Sequence, residues 1–241
     1  MSKKILTLLL LCTVSLGLQA QDKLQEDLSL MYRVRLPLDK SPNPPAIILL
    51  HGYGSNEADL FALKDFLPPA YLIISARAPR SLSDNAWQWF RMENKNGARE
   101  AQQADVTESS RLLKAFIGEI SQKYKTDAVT VIGFSQGAMM AYEIGLTAPG
   151  LLQGIVPLSG RVFPWLKNGT KTSAKLQQLR VFIGHGDADD RVPYAEAISA
   201  DAFLKTIKMA PVFKTYRGLQ HSINATELKD LNSWLAIPLQ K

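Results

Sequence analysis

Short, almost unbroken apolar runs recur along this chain, separated by longer stretches where apolar residues return every three or four positions. "AIILL" (46–50), "YLIIS" (71–75), "AVTVIGF" (128–134), "GIVPLS" (154–159), "LRVFIG" (179–184) and "VFKTY" (212–216) read as strands. Runs without polar alternation suit strands buried on both faces, as in a parallel sheet covered by helices. "LSLMYRVRLPL" (28–38) alternates more and predicts an antiparallel edge region. Helical spacing marks residues 100–125, where Val106, Leu112, Leu113, Phe116, Ile117 and Ile120 fall on one side. Residues 136–148, 194–209 and 224–236 read as three further helices, the last with Asn224 as N-cap. Such alternation predicts one α/β domain with a mostly parallel central sheet flanked by helices and no large lid domain. In sheets of this kind, function gathers at the carboxyl ends of the strands.

Composition adds bounds. With 241 residues, 46% of them apolar, the chain can bury one large core without disulfides or metals. Its first twenty residues stand apart: "MSKK" is cationic, "ILTLLLLCTVSLGL" is apolar, and Ala20 supplies a small residue before a cleavage point. A spanning helix wants about 20 apolar residues and this run is shorter. Residues 1–20 are therefore expected to be a signal peptide and 21–241 the mature domain, exported to the periplasm or beyond, with no stable membrane insertion. Cys12, the only cysteine, lies inside that leader behind Leu10 and Leu11, which are too large for a lipid-attachment site. The formal charge of +6 falls to +4 without Lys3 and Lys4, and no basic tract or aromatic-interleaved basic patch stands out. Nucleic-acid binding is not expected.

The chemistry begins at Gly133-Phe134-Ser135-Gln136-Gly137, a G-x-S-x-G pentapeptide between an apolar strand and a helix. A serine on so tight a turn needs glycine two positions either side to avoid collision. The turn also aims the helix N-terminus at developing negative charge. A serine hydroxyl is a weak nucleophile until a base takes its proton. The three histidines are His51, His185 and His221. Sheets that present a nucleophile this way run serine, acid, histidine along the chain, which removes His51. His221 leaves room for an acid behind Ser135, whereas His185 reads as a strand-end structural residue that steadies the acid loop. "HGDADDRVP" offers Asp187, Asp189 and Asp190 as the acid, and charge and position alone do not separate them. The backbone N–H groups of Gln136 and of Tyr53, in "LLHGYGSNEADL", are the expected oxyanion donors, since Gly52 and Gly54 permit close backbone approach.

Taken together, "LLHGYGSNEADL", "ARAPR", "GFSQGAMM", "PLSG", "HGDADDRVP" and "GLQHS" resemble, in order and rough spacing, the phospholipase/carboxylesterase family of α/β-hydrolases. That family includes acyl-protein thioesterases and small bacterial carboxylesterases, and the likeness runs from about Pro45 to Trp234. The resemblance implies that Asp189, three residues before Val192, is the triad acid, with His221 as base and Tyr53 as second donor. It departs at Ala138, where many members carry a third glycine, and in the leader, where many relatives are cytosolic.

What the resemblance implies is a serine carboxylesterase that forms a covalent acyl-enzyme, with lysophospholipids and thioesters among its candidate substrates. Segment 161–178 is too short for a large lipase-like lid, which predicts small to medium acyl esters, and a monomer or homodimer is expected. No clustered His/Cys ligand set is present, so neither a metal nor an organic cofactor is expected. Trp87, Trp89, Phe163 and Trp165 are candidates for lining the substrate pocket, and residues 161–178 for a short flap over it. Two other functions share the scaffold. A serine peptidase would add a propeller or cap domain, for which there is no room, and a silent binding protein typically loses one of the three triad residues.

Overall fold

The computed structural model describes residues 23–39, 41–95 and 98–237. The expected leader and its cleavage point near Ala20 lie outside the described residues. In chain order the strands are β1 (Tyr32–Arg35), β2 (Ala46–Leu50), β3 (Leu72–Ala76), β4 (Arg80–Ser83), β5 (Ala86–Gln88), β6 (Met92–Lys95), β7 (Ala98–Ala101), β8 (Val129–Phe134), β9 (Gly154–Leu158), β10 (Arg180–Gly186) and β11 (Val212–Tyr216). The helices are α1 (Glu57–Phe61), α2 (Gln103–Tyr124), α3 (Gln136–Thr147), α4 (Pro164–Gly169), α5 (Ala174–Gln178), α6 (Tyr194–Thr206) and α7 (Ala225–Leu235).

Seven strands form the central sheet in the order β1-β3-β2-β8-β9-β10-β11. All neighbours are parallel except β1, which runs antiparallel to β3 at the edge. The apolar runs are explained by what covers them. On β2, Ile48 and Leu50 join the cluster under α2, α3 and α6, while Ile47 and Leu49 join the opposite cluster with Leu60, Phe61, Leu231 and Trp234. Every residue of β2 and β3 is buried, which accounts for runs without polar alternation; their single hydroxyl, Ser75 Oγ on β3, is buried without a hydrogen-bond partner among the described residues. Each such Ile or Leu contributes roughly 1.5–3 kcal/mol through its removal from water.

The chain passes from β2 outward to β3, then returns to place β8 on the other flank of β2. That reversal opens a crevice above the carboxyl ends of β2 and β8. The loops that leave these two strands carry Gly52–Gly54 and Ser135, so topology alone brings the glycine loop beside the serine. Helix α2 starts at Gln103 rather than near 100 because residues 98–101 pair with β6 instead.

Candidate active site

β8 ends at Phe134 and α3 begins at Gln136, so the chain reverses at Ser135. It does so at φ 55° and ψ −114°, a combination non-glycine residues avoid. The reversal fits because its neighbours lack side chains. A Cβ on Gly133 would drive into the Gly137 carbonyl, and one on Gly137 into the carbonyl of Leu50. The Ser135 N–H donates to Leu158 O at 3.0 Å, and its own carbonyl accepts from Met139 N–H at 3.1 Å. Ala138, the departure from a third glycine, is buried against Gly160 rather than facing the crevice, and a Cβ on Gly160 would meet its methyl.

His221 sits between β11 and α7 with Nε2 2.9 Å from Ser135 Oγ and Nδ1 2.8 Å from Asp189 Oδ2. An ionised carboxylate only accepts, so Nδ1 carries the proton and Nε2 is free to accept the serine's. Asp189 Oδ1 accepts the backbone N–H groups of Arg191 and Val192, each at 2.9 Å. Burial pushes its carboxyl up, but the His221 hydrogen bond and these two donors outweigh it and hold the group below the ordinary aspartate value. Asp187 instead accepts from Gly218 N–H at 2.6 Å, and Asp190 is exposed at the rim. His185 is buried with Nε2 2.8 Å from Val192 O and 3.3 Å from Asp189 Oδ2. A carbonyl cannot donate, so Nε2 holds the proton. Burial pulls this imidazole below its usual value, and it braces the acid loop as a neutral ring.

The glycine loop is braced from beneath. His51 is buried, and its Nε2 accepts from Ala78 N–H at 3.0 Å while Nδ1 meets Gly52 O at 2.8 Å. Trp89 Nε1 donates to His51 O at 2.8 Å. Gly54 N–H donates to Trp87 O at 2.9 Å, which ties the loop to β5. The Gln136 side chain completes the frame: Oε1 accepts from Trp89 N–H at 2.9 Å and Nε2 donates to Phe90 O at 2.7 Å. A Cβ built on Gly52 would lie 3.3 Å from Ser135 Cβ, so this loop runs against the serine. Ser135, Gln136, His221 and Tyr53 border a cavity of about 680 Å³ that is open to solvent.

The family model for phospholipases and carboxylesterases matches residues 36–239. The chain belongs to the phospholipase/carboxylesterase family. As a member it is a carboxylic ester hydrolase by class. It is 28% identical over 224 residues to acyl-protein thioesterase 1 of Kluyveromyces lactis, covering 86% of this chain and 97% of that one. Among solved structures, esterase PE8 superposes with a TM-score of 0.72 at 28% identity, covering 83% of this chain and 95% of that one. The carboxylesterase from Mesorhizobium loti gives a TM-score of 0.75 at 21% identity, over 90% and 100% of the two chains, and shares the fold.

This carboxylesterase-family site differs from the sequence reading in its aromatics. None of Trp87, Trp89, Phe163 and Trp165 borders the cavity at Ser135. Trp89 is fully buried and spends its indole N–H on His51 O, behind the glycine loop. Trp87 lies under the Arg77 guanidinium, 4.1 Å from ring centroid to carbon. Phe163 is buried between Phe90 and Trp165, and Trp165 stacks on it at 4.4 Å. The flap expected over 161–178 is also corrected. Helices α4 and α5 pack beside Leu146 and Thr147, at the far end of α3 from Ser135, and only Arg161 of this segment reaches the cavity. The cavity residues that the sequence reading does not single out are Met92, Met139, Arg191, Pro193, Gln220 and Ser222. Charged and polar loop residues carry no periodic signal that separates a site lining from a solvated surface. Among the described residues, no group of three His, Cys, Asp or Glu is placed to hold a metal, and no helix is long and apolar enough to cross a membrane.

Proposed function

We propose that this protein is a serine carboxylesterase in which Ser135, His221 and Asp189 form the catalytic triad. The observation that carries the reading is the unbroken contact from Ser135 Oγ to His221 Nε2 at 2.9 Å and from His221 Nδ1 to Asp189 Oδ2 at 2.8 Å. His221 takes the hydroxyl proton as Ser135 attacks the ester carbonyl, and Asp189 stabilises the imidazolium that forms. The oxyanion is received by the backbone N–H of Gln136 at the start of α3 and by that of Tyr53. Gly54 N–H is already committed to Trp87 O, which leaves Tyr53 as the loop's donor. His221 then gives its proton to the departing alcohol, and water repeats the sequence on the acyl-Ser135 ester.

Substrates in this reading are esters of small to medium acyl groups. The cavity is open to solvent and sets Met92 and Met139 among polar residues, a mixed lining that supports compact esters. The cationic, apolar pattern of residues 1–20 supports export, with catalysis outside the cytoplasm by the part that follows Ala20. Hydrolysis of p-nitrophenyl acetate, butyrate, octanoate and palmitate by the wild type and Ser135→Ala tests the reading. Turnover of the shorter esters that vanishes in the variant supports it; cleavage of the palmitate ester alone would overturn the chain-length part.

A further inference from the structure

Two consecutive peptide planes of the glycine loop are tied down, one on either side of Tyr53. The Tyr53 N–H shares its plane with Gly52 O, which meets His51 Nδ1 at 2.8 Å. The next plane carries Gly54 N–H, which donates to Trp87 O at 2.9 Å, and Trp87 N–H in turn donates to Ser55 O at 2.8 Å. Trp87 thus clamps the far half of the loop through its backbone. Whatever fixes Trp87 belongs to the geometry of the site.

Trp87 lies on β5, which pairs with β4 in a two-stranded ribbon outside the central sheet. A ribbon of two short strands is marginal in water unless side chains anchor it. The Arg77 guanidinium covers the Trp87 ring, with its carbon 4.1 Å from the ring centroid. Arg77 is itself held flat. Its Nε donates to Glu57 Oε2 at 2.6 Å and its Nη2 to Glu57 Oε1 at 2.9 Å, a two-pronged, charge-assisted pair. Glu57, the first residue of α1, is buried, and Arg33 Nε adds a third contact at 3.2 Å. Burial pushes the Glu57 carboxyl up, but the hydrogen bonds from Arg77 and Arg33 help to outweigh it and hold the group below the ordinary glutamate value. Glu57 therefore stays the charged partner that Arg77 needs.

We propose that Arg77 is a positioning residue for ester hydrolysis: laid over Trp87 and held flat by Glu57, it aims the Tyr53 N–H at the developing oxyanion. The proposal rests on Ser135 as nucleophile and Tyr53 as donor, and adds to that reading what holds the donor in place. Arg77 and Ala78 are consecutive at the exit of β3, and Arg77 N–H is tied to Met31 O at 2.8 Å. Ala78 N–H reaches the Gly52 plane through the His51 ring, and the Arg77 side chain reaches the Gly54 plane through Trp87. One strand end thus grips the donor from both sides, on a loop whose Gly54 sits at φ 73° and adds no side chain of its own to steady it. An ion pair that served stability alone would need only Glu57 and the β3 exit. It would not need to cover the ring whose backbone carries Gly54.

The test separates aim from stability. Trp87→Leu removes the ring and leaves the Arg77–Glu57 pair intact, Trp87→Phe keeps an aromatic face, and Arg77→Lys keeps the charge without the flat fork. Each is compared with wild type for kcat and KM on p-nitrophenyl butyrate, per site titrated with a fluorophosphonate. Each is also tested for inhibition by butylboronic acid, whose adduct on Ser135 places an oxygen where the oxyanion would lie. We expect Trp87→Leu and Arg77→Lys to lower kcat by about tenfold, short of the loss of a whole donor. KM should stay within about twofold, and the boronate Ki should rise in step with the fall in kcat/KM, because the lost contact is made only in the transition state. Trp87→Phe should keep about half or more of the wild-type kcat, since a ring face remains for the cation. In Arg77→Lys/Trp87→Leu the two losses should not multiply, because both act along one path. A lower Tm with kcat and Ki unchanged per titrated site would make Arg77 structural only and overturn the proposal, and so would losses confined to KM. If Arg77→Lys does not fold, the two Trp87 variants decide. A wild type that is neither labelled by the fluorophosphonate nor inhibited by the boronic acid would instead overturn the Ser135 reading beneath it.

Discussion

The backbone N–H of Ala78 donates to His51 Nε2 at 3.0 Å, which fixes the ring's proton on Nδ1, where it bonds Gly52 O at 2.8 Å. Burial also pulls this imidazole below its usual value, so His51 acts as a neutral brace between the β3 exit and the glycine loop. His51→Ala should let the Tyr53 N–H drift from its position. The expected result is a fall in kcat of roughly ten- to a hundredfold, less than the loss of a whole oxyanion donor. KM should change little, and Ser135 should still react with a fluorophosphonate. A wild-type kcat in a folded variant would contradict this role.

Asp189 and Asp187 differ in what they hold. Asp189 orients His221, whereas Asp187 accepts from Gly218 N–H in the adjacent loop. Asp189→Asn should lower kcat by about 10⁴, the scale expected when the imidazole loses its correct tautomer. Asp187→Ala should stay within about threefold of wild type, because it removes one exposed loop bond. Steady-state kinetics on a butyrate ester decides, and the reverse order of effects would reassign the acid.

Ala138 and Gly160 pack backbone to methyl behind the turn at Ser135. Gly160→Ala should cost about 1–3 kcal/mol through overpacking. Adding Ala138→Gly should recover part of that loss, with a coupling of about 1 kcal/mol in a double-mutant cycle. Denaturant titration of the four proteins measures it, and strict additivity would show that the two sites do not press on each other.

Glu227 is buried on α7 with both carboxylate oxygens unpartnered, close against Gly184 of β10. Burial is the main cause that pushes its carboxyl up to about 8, and the backbone of Asn224 opposes it only weakly. The unfolded chain ionises this group near the ordinary 4.5, so unfolding releases a proton between the two values. Stability is therefore lost as pH rises from about 4.5 to about 8 and levels off above that. Glu227→Gln should match wild type in acid and be more stable by roughly 3 kcal/mol near neutral pH. Parallel pH profiles of Tm for the two proteins would contradict it.

Much of the molecule could be read from the chain because its central strands are buried on both faces and so appear as bare apolar runs. β2, β8 and β9 are such strands. β11 also reads as a strand, but it lies at the sheet edge and is mostly exposed, so its β-branched and aromatic residues rather than two-sided burial account for the pattern. The hairpins β4–β5 and β6–β7 left no trace, since their segments are short and polar and answer to neither period. At the site, the strained serine and its glycines announce themselves through steric need. The aromatics misled because hydrophobicity says that Trp89 and Phe163 avoid water, not whether a substrate or the core covers them. Chain order sets His51 aside as the base, and its bracing contacts are with Ala78 and Trp89, which are distant in sequence.

In the proposed reaction Ser135 is the residue that becomes acylated. Titration with a fluorophosphonate, followed by peptide mass mapping and residual esterase activity, tests it most directly. One adduct per chain on the peptide holding Ser135, with activity lost in proportion and no adduct in Ser135→Ala, is the expected result. Full esterase activity in Ser135→Ala, or an inactivating adduct on another residue, would contradict it.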